Sequence, residues 1–200
     1  MAAGIIGFVA AFLTLPEQGG HSLDREVQEW IGGLRSDGLT SVMELLSGIG
    51  STVAIIVITL GAAGVFGYLF GWGYGGMFIG GVLGGFVINT ILKNAIDRVR
   101  PEEAWGLSAD GASFPSANAM LGFVIFGLML IALWRETRWP GFAKGIIGVV
   151  AAALILFMGL CRVYFHVHYV SDILAGYSAG LAVLCATVII ADGIRRKKRG

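Results

Sequence analysis

Six apolar runs, roughly Ala2 to Leu15, Val53 to Phe70, Gly75 to Leu92, Ala117 to Trp134, Phe142 to Leu160 and Val170 to Ala191, alternate with short polar stretches. A helix needs about 20 residues to cross the hydrocarbon of a bilayer, and in lipid only helices and closed barrels satisfy their own backbone. The pattern therefore predicts an all-α integral membrane bundle of six transmembrane helices, forming a single domain over 1–200. The first run is short for a span. It lacks the basic leader and small-residue cleavage site of a signal peptide, so it is read as a helix of the bundle.

Between the first two spans, Leu23, Val27, Trp30, Ile31 and Leu34 fall at i, i+4, i+7, i+8 and i+11, with Asp24, Arg25, Glu26 and Glu29 between them. That period predicts an amphipathic helix starting near Ser22, lying on the extracytoplasmic membrane surface or packed over the bundle. In the third span Gly76, Gly80 and Gly84 recur every four residues beside Gly81 and Gly85. Such a face is expected to pack tightly against a neighbouring helix. No strand-loop-helix context surrounds these glycines, so they are not read as a phosphate loop.

Composition agrees with the membrane reading: 56% of residues are hydrophobic and only 14% charged. The net charge of +1 gives no broad basic surface, which argues against nucleic acid as a partner and leaves the bilayer and a lipid. The position of charge is more informative than its sum. The tail Arg195, Arg196, Lys197, Lys198 and Arg199 belongs in the cytoplasm by the positive-inside rule, and six spans then place both termini there. Arg135, Arg138 and Lys144 fall on the same side, giving eight basic residues inside against six outside. The two cysteines, Cys161 and Cys185, show neither metal-ligand nor disulfide spacing and are read as packing residues.

Polar residues of the outward ends concentrate in Lys93 to Pro101, Pro115 to Asn118 and Cys161 to Asp172, each bordering a span. If the third span continues as a helix, Lys93 and Arg100, seven residues apart, share one face. With Arg162 they would repel one another unless an anion sat among them, and phosphate matches Arg forks and a Lys point charge. Taken alone, Lys93, Arg98 and Arg100 are better read as snorkelling to lipid headgroups at a helix end. His168 and Asp172 stand at i, i+4, so the carboxylate can hold one ring nitrogen and leave the other free to attack. His166 is read as structural.

These stretches resemble the three signature motifs of the type 2 phosphatidic acid phosphatase family. Lys93, Arg100 and Pro101 read K-x6-R-P; Pro115 and Ser116 begin what in the family is P-S-G-H; Arg162, His168 and Asp172 read R-x5-H-x3-D, in the family's order. The resemblance implies that Lys93, Arg100 and Arg162 hold a phosphate group with help from Ser116 and nearby backbone amides. It implies that His168 attacks phosphorus to form a phosphohistidine, that Asp172 orients it, and that water releases phosphate with no metal or other cofactor. Soluble haloperoxidases share the motifs, and the hydropathy excludes them.

Two positions depart from the family pattern. Cys161 stands where the third motif usually has Ser, and Asn118 replaces the second motif's His, after Ala117 in place of Gly. That His is the family's expected general acid, whereas Asn can donate a hydrogen bond but cannot transfer a proton. His166, Glu102 and Glu103 are the remaining candidates for the role. Without an acid an alcohol leaving group, with a pKa of about 15 to 16, departs poorly, while a phosphomonoester with a pKa of about 6 leaves readily as an anion. The expected substrate is therefore a lipid diphosphate such as undecaprenyl diphosphate, cleaved outside a bacterial-type cytoplasmic membrane. The alternatives are a phosphatidylglycerophosphate or phosphatidic acid phosphatase, a phosphoryl transferase, and a non-catalytic phospholipid-binding relative.

Overall fold

The computed structural model describes residues 1–16, 19–102, 105–107 and 109–197, so Glu103, Lys198 and Arg199 lie outside the described residues. Among the described residues there are eight helices and no strand: α1 (Ala2–Leu13), α2 (Ser22–Gly33), α3 (Asp37–Ile49), α4 (Thr52–Phe70), α5 (Trp72–Ile96), α6 (Ala117–Glu136), α7 (Gly141–Tyr164) and α8 (Val170–Lys197). Five of them, α4 to α8, are long and apolar enough to cross a membrane. Their outward residues are apolar too, with Val53, Phe142 and Val149 each 70% exposed or more, as a lipid-facing surface requires.

The first apolar run forms only 12 residues of helix. At 1.5 Å per residue α1 reaches about 18 Å, short of the hydrocarbon thickness of about 30 Å. It ends where Thr14 turns its hydroxyl back to the Ala10 and Ala11 carbonyls ahead of Pro16. Its Gly4 lies against Ser178 and Ala182, part-way along α8.

Helix α6 lies at the centre of the bundle, packed on α4, α5, α7 and α8. Its residues Met120, Val124, Ile125 and Leu128 are almost wholly buried. On α8, a Cβ at Gly176 would reach the Ser116 carbonyl at 2.7 Å, so glycine sets the close approach that brings the start of α8 to the start of α6. The glycine face of α5 works differently from the sequence expectation. Gly81 and Gly85 pack against Leu128 and Leu121 of α6, whereas a Cβ at Gly76, Gly80 or Gly84 would meet no side chain or neighbouring helix within 4 Å. The five glycines occupy two adjacent strips of helix surface, and only one strip faces the bundle.

A second apolar cluster caps one end, where Ile31 of α2 and Met43 of α3 meet Cys161, Val163, Tyr164, Phe165 and Val167. Helix α3 is absent from the sequence reading; Ser36 caps it by accepting from the Leu39 amide at 3.3 Å, and Thr40 bonds the Tyr164 hydroxyl at 2.8 Å. The end of α5, the start of α6, the end of α7 and the start of α8 all lie at this end. The other end carries the Arg135–Asp192 pair, at 2.9 Å, and the basic end of α8.

Candidate active site

Helix α7 stops at Tyr164, and His166 in a left-handed conformation (φ 53°) reverses the chain towards α8. The Arg162 carbonyl accepts from both the Val167 amide (3.0 Å) and the His168 amide (3.3 Å), which ties the reversal to α7. His168 is thus held just before α8 rather than within it, and its side chain is buried. Its Nδ1 lies 3.4 Å from Asp172 Oδ2 and 3.3 Å from Ser113 Oγ, and its Nε2 lies 3.4 Å from Arg100 Nη1.

Asp172, fully buried in the first turn of α8, accepts from the Tyr169 amide at 2.9 Å, from Ser113 Oγ, and from Arg98 Nη1 at 2.5 Å. Burial lowers the pKa of His168 to about 4, outweighing the pull of Asp172 in the other direction, and the nearby Arg100 and Lys93 charges add to the lowering. The imidazole is therefore neutral at pH 7. With acceptors on the Nδ1 side and a guanidinium on the other, the proton belongs on Nδ1 and the lone pair on Nε2.

The first-motif cations wrap the segment before Ser113. Lys93 donates to the Ala112 carbonyl at 2.6 Å, and Arg100 donates to the carbonyls of Gly111 (2.9 Å), Asp110 (3.0 Å), Ala112 (3.3 Å) and Val167 (2.7 Å). Burial lowers the pKa of Arg100, opposed by the Asp172 and Asp110 carboxylates, and a guanidinium so placed remains charged. Lys93 and Arg100 do not share a helix face as expected. Helix α5 ends at Ile96, Asp97 takes a left-handed conformation (φ 46°), and Pro101 disfavours helix at Arg100, so a turn rather than a helix face carries Arg100 to His168.

Ser116 donates its amide to the Asp172 carbonyl at 3.1 Å, while its hydroxyl is buried without a hydrogen-bond partner. Arg162 donates to the Ser47 carbonyl at 3.3 Å, and its Nε is likewise buried and unpaired. Asn118 donates to the Gly50 carbonyl at 2.9 Å. Asn118 and Arg162 therefore meet at the α3–α4 joint, where a Cβ on Gly50 would press on both.

Three further residues belong to this site and escape the sequence reading. Ser113 bridges His168 and Asp172, and Arg98 is no snorkelling cation: it is buried and paired with Asp24 and Asp172. Its charge is met by two carboxylates of the protein rather than by a headgroup. Asp24, placed on the polar side of α2, is also buried. Its signal was its spacing of seven residues from Ile31, which puts it two turns away on the helix edge that faces the protein. Ser113 had no such signal. Of the alternative acids, His166 lies with Nε2 3.3 Å from the Gln28 carbonyl, and Glu102 is exposed. Cys161 packs its Sγ 3.8 Å from Met43 Sδ, and Cys185 is half-buried.

The profile of the PAP2 superfamily matches residues 70–196, more than half the chain, covering α5 to α7 and all but the last residue of α8. The chain belongs to the PAP2 superfamily. Phosphatidylglycerophosphatase B of Bacillus subtilis (strain 168) is 28% identical to this PAP2 protein over 162 residues, 80% of this chain and 79% of that one. The crystal structure of the first transmembrane PAP2 type phosphatidylglycerolphosphate phosphatase from Bacillus subtilis superposes with a TM-score of 0.82 at 24% identity, covering 98% of both chains. Aquifex aeolicus LpxE superposes with a TM-score of 0.66 at 18% identity, over 84% of this chain and 96% of that one. These likenesses establish the PAP2 membrane fold, and with five apolar helices of spanning length the protein is a multi-pass membrane protein. The family match begins at Phe70, the last residue of α4, so Asp24 and the α3–α4 joint lie outside it.

Proposed function

We propose that this PAP2 protein is a lipid phosphatase that removes the terminal phosphate of a lipid diphosphate of the undecaprenyl diphosphate kind. The observation that carries the reading is the His168 imidazole: buried, neutral, Nδ1 towards Asp172 and Nε2 facing Arg100. On substrate entry a phosphoryl oxygen takes the Arg100 donor, and the Nε2 lone pair attacks the terminal phosphorus. The N–P bond forms as the P–O bond to the lipid phosphate breaks, and the bonding pair leaves with that phosphate. Water then attacks the phosphorus of the phosphohistidine, the N–P bond breaks with its pair returning to Nε2, and inorganic phosphate departs with the water's oxygen and protons.

Lys93, Arg100 and Arg162 neutralise the charge on the transferring group, so both steps are written without a metal ion. Ser116 Oγ and Arg162 Nε support this assignment, because buried donors need acceptors and phosphate oxygens supply them. Asn118, which donates to the Gly50 carbonyl, has no proton to give a leaving alkoxide. A leaving group that departs as an anion needs none. The reading places the site at the extracytoplasmic interface, the carboxy terminus in the cytoplasm and α2 along the outer surface, with α1 reaching only part-way into the bilayer.

A second reading, hydrolysis of phosphatidylglycerophosphate, is favoured by the Bacillus relative named for that activity. Purified protein supplied with undecaprenyl diphosphate, phosphatidylglycerophosphate and phosphatidic acid side by side separates the two. The diphosphate is expected to turn over fastest, and faster release from either monoester defeats the preference. A phosphohistidine trapped at His168 excludes the non-catalytic binder, and its absence with every lipid tried favours that binder.

A further inference from the structure

Arg98 is 8% exposed and lies between two carboxylates that are still more buried, Asp24 at 1% and Asp172 at 0%. Its Nη1 donates to Asp172 Oδ1 (2.5 Å) and Ser171 Oγ (2.9 Å), and its Nη2 donates to the Gly19 carbonyl (2.9 Å) and faces Asp24 Oδ2 at 3.4 Å. Asp24 in turn accepts from the Ser171 amide (2.9 Å), the Ser171 hydroxyl (2.7 Å) and the His21 amide (3.0 Å). The guanidinium also stacks over the Tyr169 ring at 4.2 Å. Its Nε is buried and unpaired, but both Nη atoms are committed to acceptors within the protein, which leaves no guanidinium fork for an incoming headgroup. Desolvating one cation and two anions is costly, and such buried charge networks fix geometry more than they add stability.

Helix α2 carries two edges with different surroundings. Leu23, Trp30 and Leu34 are exposed apolar residues, whereas Asp24 and Ile31 face the protein. The exposed apolar edge and the edge that reaches Arg98 and Ser171 belong to one helix of 12 residues.

We propose that Arg98 and Asp24 are positioning residues: Arg98, clamped between Asp24 of α2 and Asp172 of α8, fixes the carboxylate that orients His168, and thereby makes the seating of α2 a condition of turnover. This rests on the reading of His168 as the nucleophile. Neither residue touches the phosphate; both act through Asp172.

The test uses the full chain in lipid nanodiscs with Arg98→Gln, Arg98→Lys and Asp24→Asn. It reads kcat and KM against pH, melting temperature, and the imidazole titration of His168 by nitrogen-15 NMR without substrate. His168 is faced by Asp172 and Ser113 at Nδ1 and by Arg100 and Lys93 on its other side, and every variant keeps all four. Removing the Arg98 charge leaves Asp172 less compensated and favours the imidazolium. Arg98→Gln is therefore expected to lower kcat at least about tenfold with KM within about twofold, and to raise the acid limb and the NMR titration by about one pH unit. Arg98→Lys restores part of both effects. Asp24→Asn lowers kcat several-fold without raising the acid limb, because it loosens the clamp and removes an anion.

Three outcomes overturn the proposal. A higher KM with kcat and the acid limb unchanged makes Arg98 a headgroup ligand. A loss in all three variants that follows melting temperature, with an unmoved limb, makes the network structural only. An NMR titration unchanged in Arg98→Gln removes the link to His168. If Arg98→Gln does not fold, Arg98→Lys and Asp24→Asn are judged by the same readings. If the wild type hydrolyses no lipid phosphate, the assigned activity fails, and the substrate-free titration still decides the relay.

Discussion

Arg100 and His168 face one another across the site, Nη1 of the guanidinium 3.4 Å from Nε2 of the imidazole. A cation at that distance discourages protonation of the ring, and on the proposed reading it also meets the charge that gathers on an oxygen of the attacked phosphoryl group. Arg100→Lys keeps the charge but loses the planar fork that also binds four backbone carbonyls. Its kcat is expected to fall about 10²-fold, the scale for losing one preorganised donor to a transition state. His168→Asn should abolish turnover and acid-labile phosphate on the protein. Steady-state rates and radiolabel trapping check both, and a His168→Asn protein that still accumulates phosphohistidine would remove the nucleophile assignment.

The pH dependence follows from the same imidazole. Its pKa is about 4 folded against 6.5 for an ordinary histidine, so between these values the unfolded chain binds a proton that the folded protein does not. Stability from this group is present above about pH 6.5 and is lost as pH falls through about 4. The melting temperature is expected to decline across that window, and His168→Asn should flatten the decline. Activity should hold from neutral pH down to the acid limb, because the imidazole proposed as the nucleophile stays neutral. A wild-type acid limb at pH 6.5 or above would mean that the site does not desolvate the ring.

How much of this was legible follows the range of the forces involved. The long spans were readable because membrane hydrocarbon imposes one strong rule on about 20 residues at a time. His168 and Asp172 were readable because their contact is local in sequence. Arg98 was misread because its partners, Asp24 and Asp172, are each 74 residues away, and only packing decides whether a cation at a helix end reaches water or a carboxylate. Helix α3 was hidden for a similar reason: its apolar face is completed by Tyr164 and Val163 of α7, far along the chain. The glycines of α5 show the limit of a periodic pattern, since two adjacent strips fit it and burial selects only one.

Gly50 gives a test outside the recognised motifs. A methyl group there would press on the Asn118 amide and lie 3.2 Å from Arg162 Nη2. Both contacts are side-chain ends that can move, so Gly50→Ala should fold with little change in melting temperature. It should lower kcat/KM about tenfold by displacing Arg162 from the phosphate. Unaltered kinetics would place Arg162 too far from the reacting group to hold it.

Asn118→His tests the leaving-group argument directly. The residue begins α6 beside Arg162, where a donor reaches the Gly50 carbonyl at 2.9 Å, and an imidazole there could transfer a proton. General acid catalysis contributes typically 10² to 10⁴-fold when the leaving group is an alcohol. It contributes little when the leaving group is a phosphate that departs as an anion. Asn118→His is therefore expected to raise hydrolysis of phosphatidic acid and phosphatidylglycerophosphate by at least about tenfold, while diphosphate hydrolysis moves less than about threefold. Equal gains on all three lipids would show that the wild type lacks an acid for every substrate. No gain on any would show that another group already supplies the proton, and either result would withdraw the diphosphate preference inferred from Asn118.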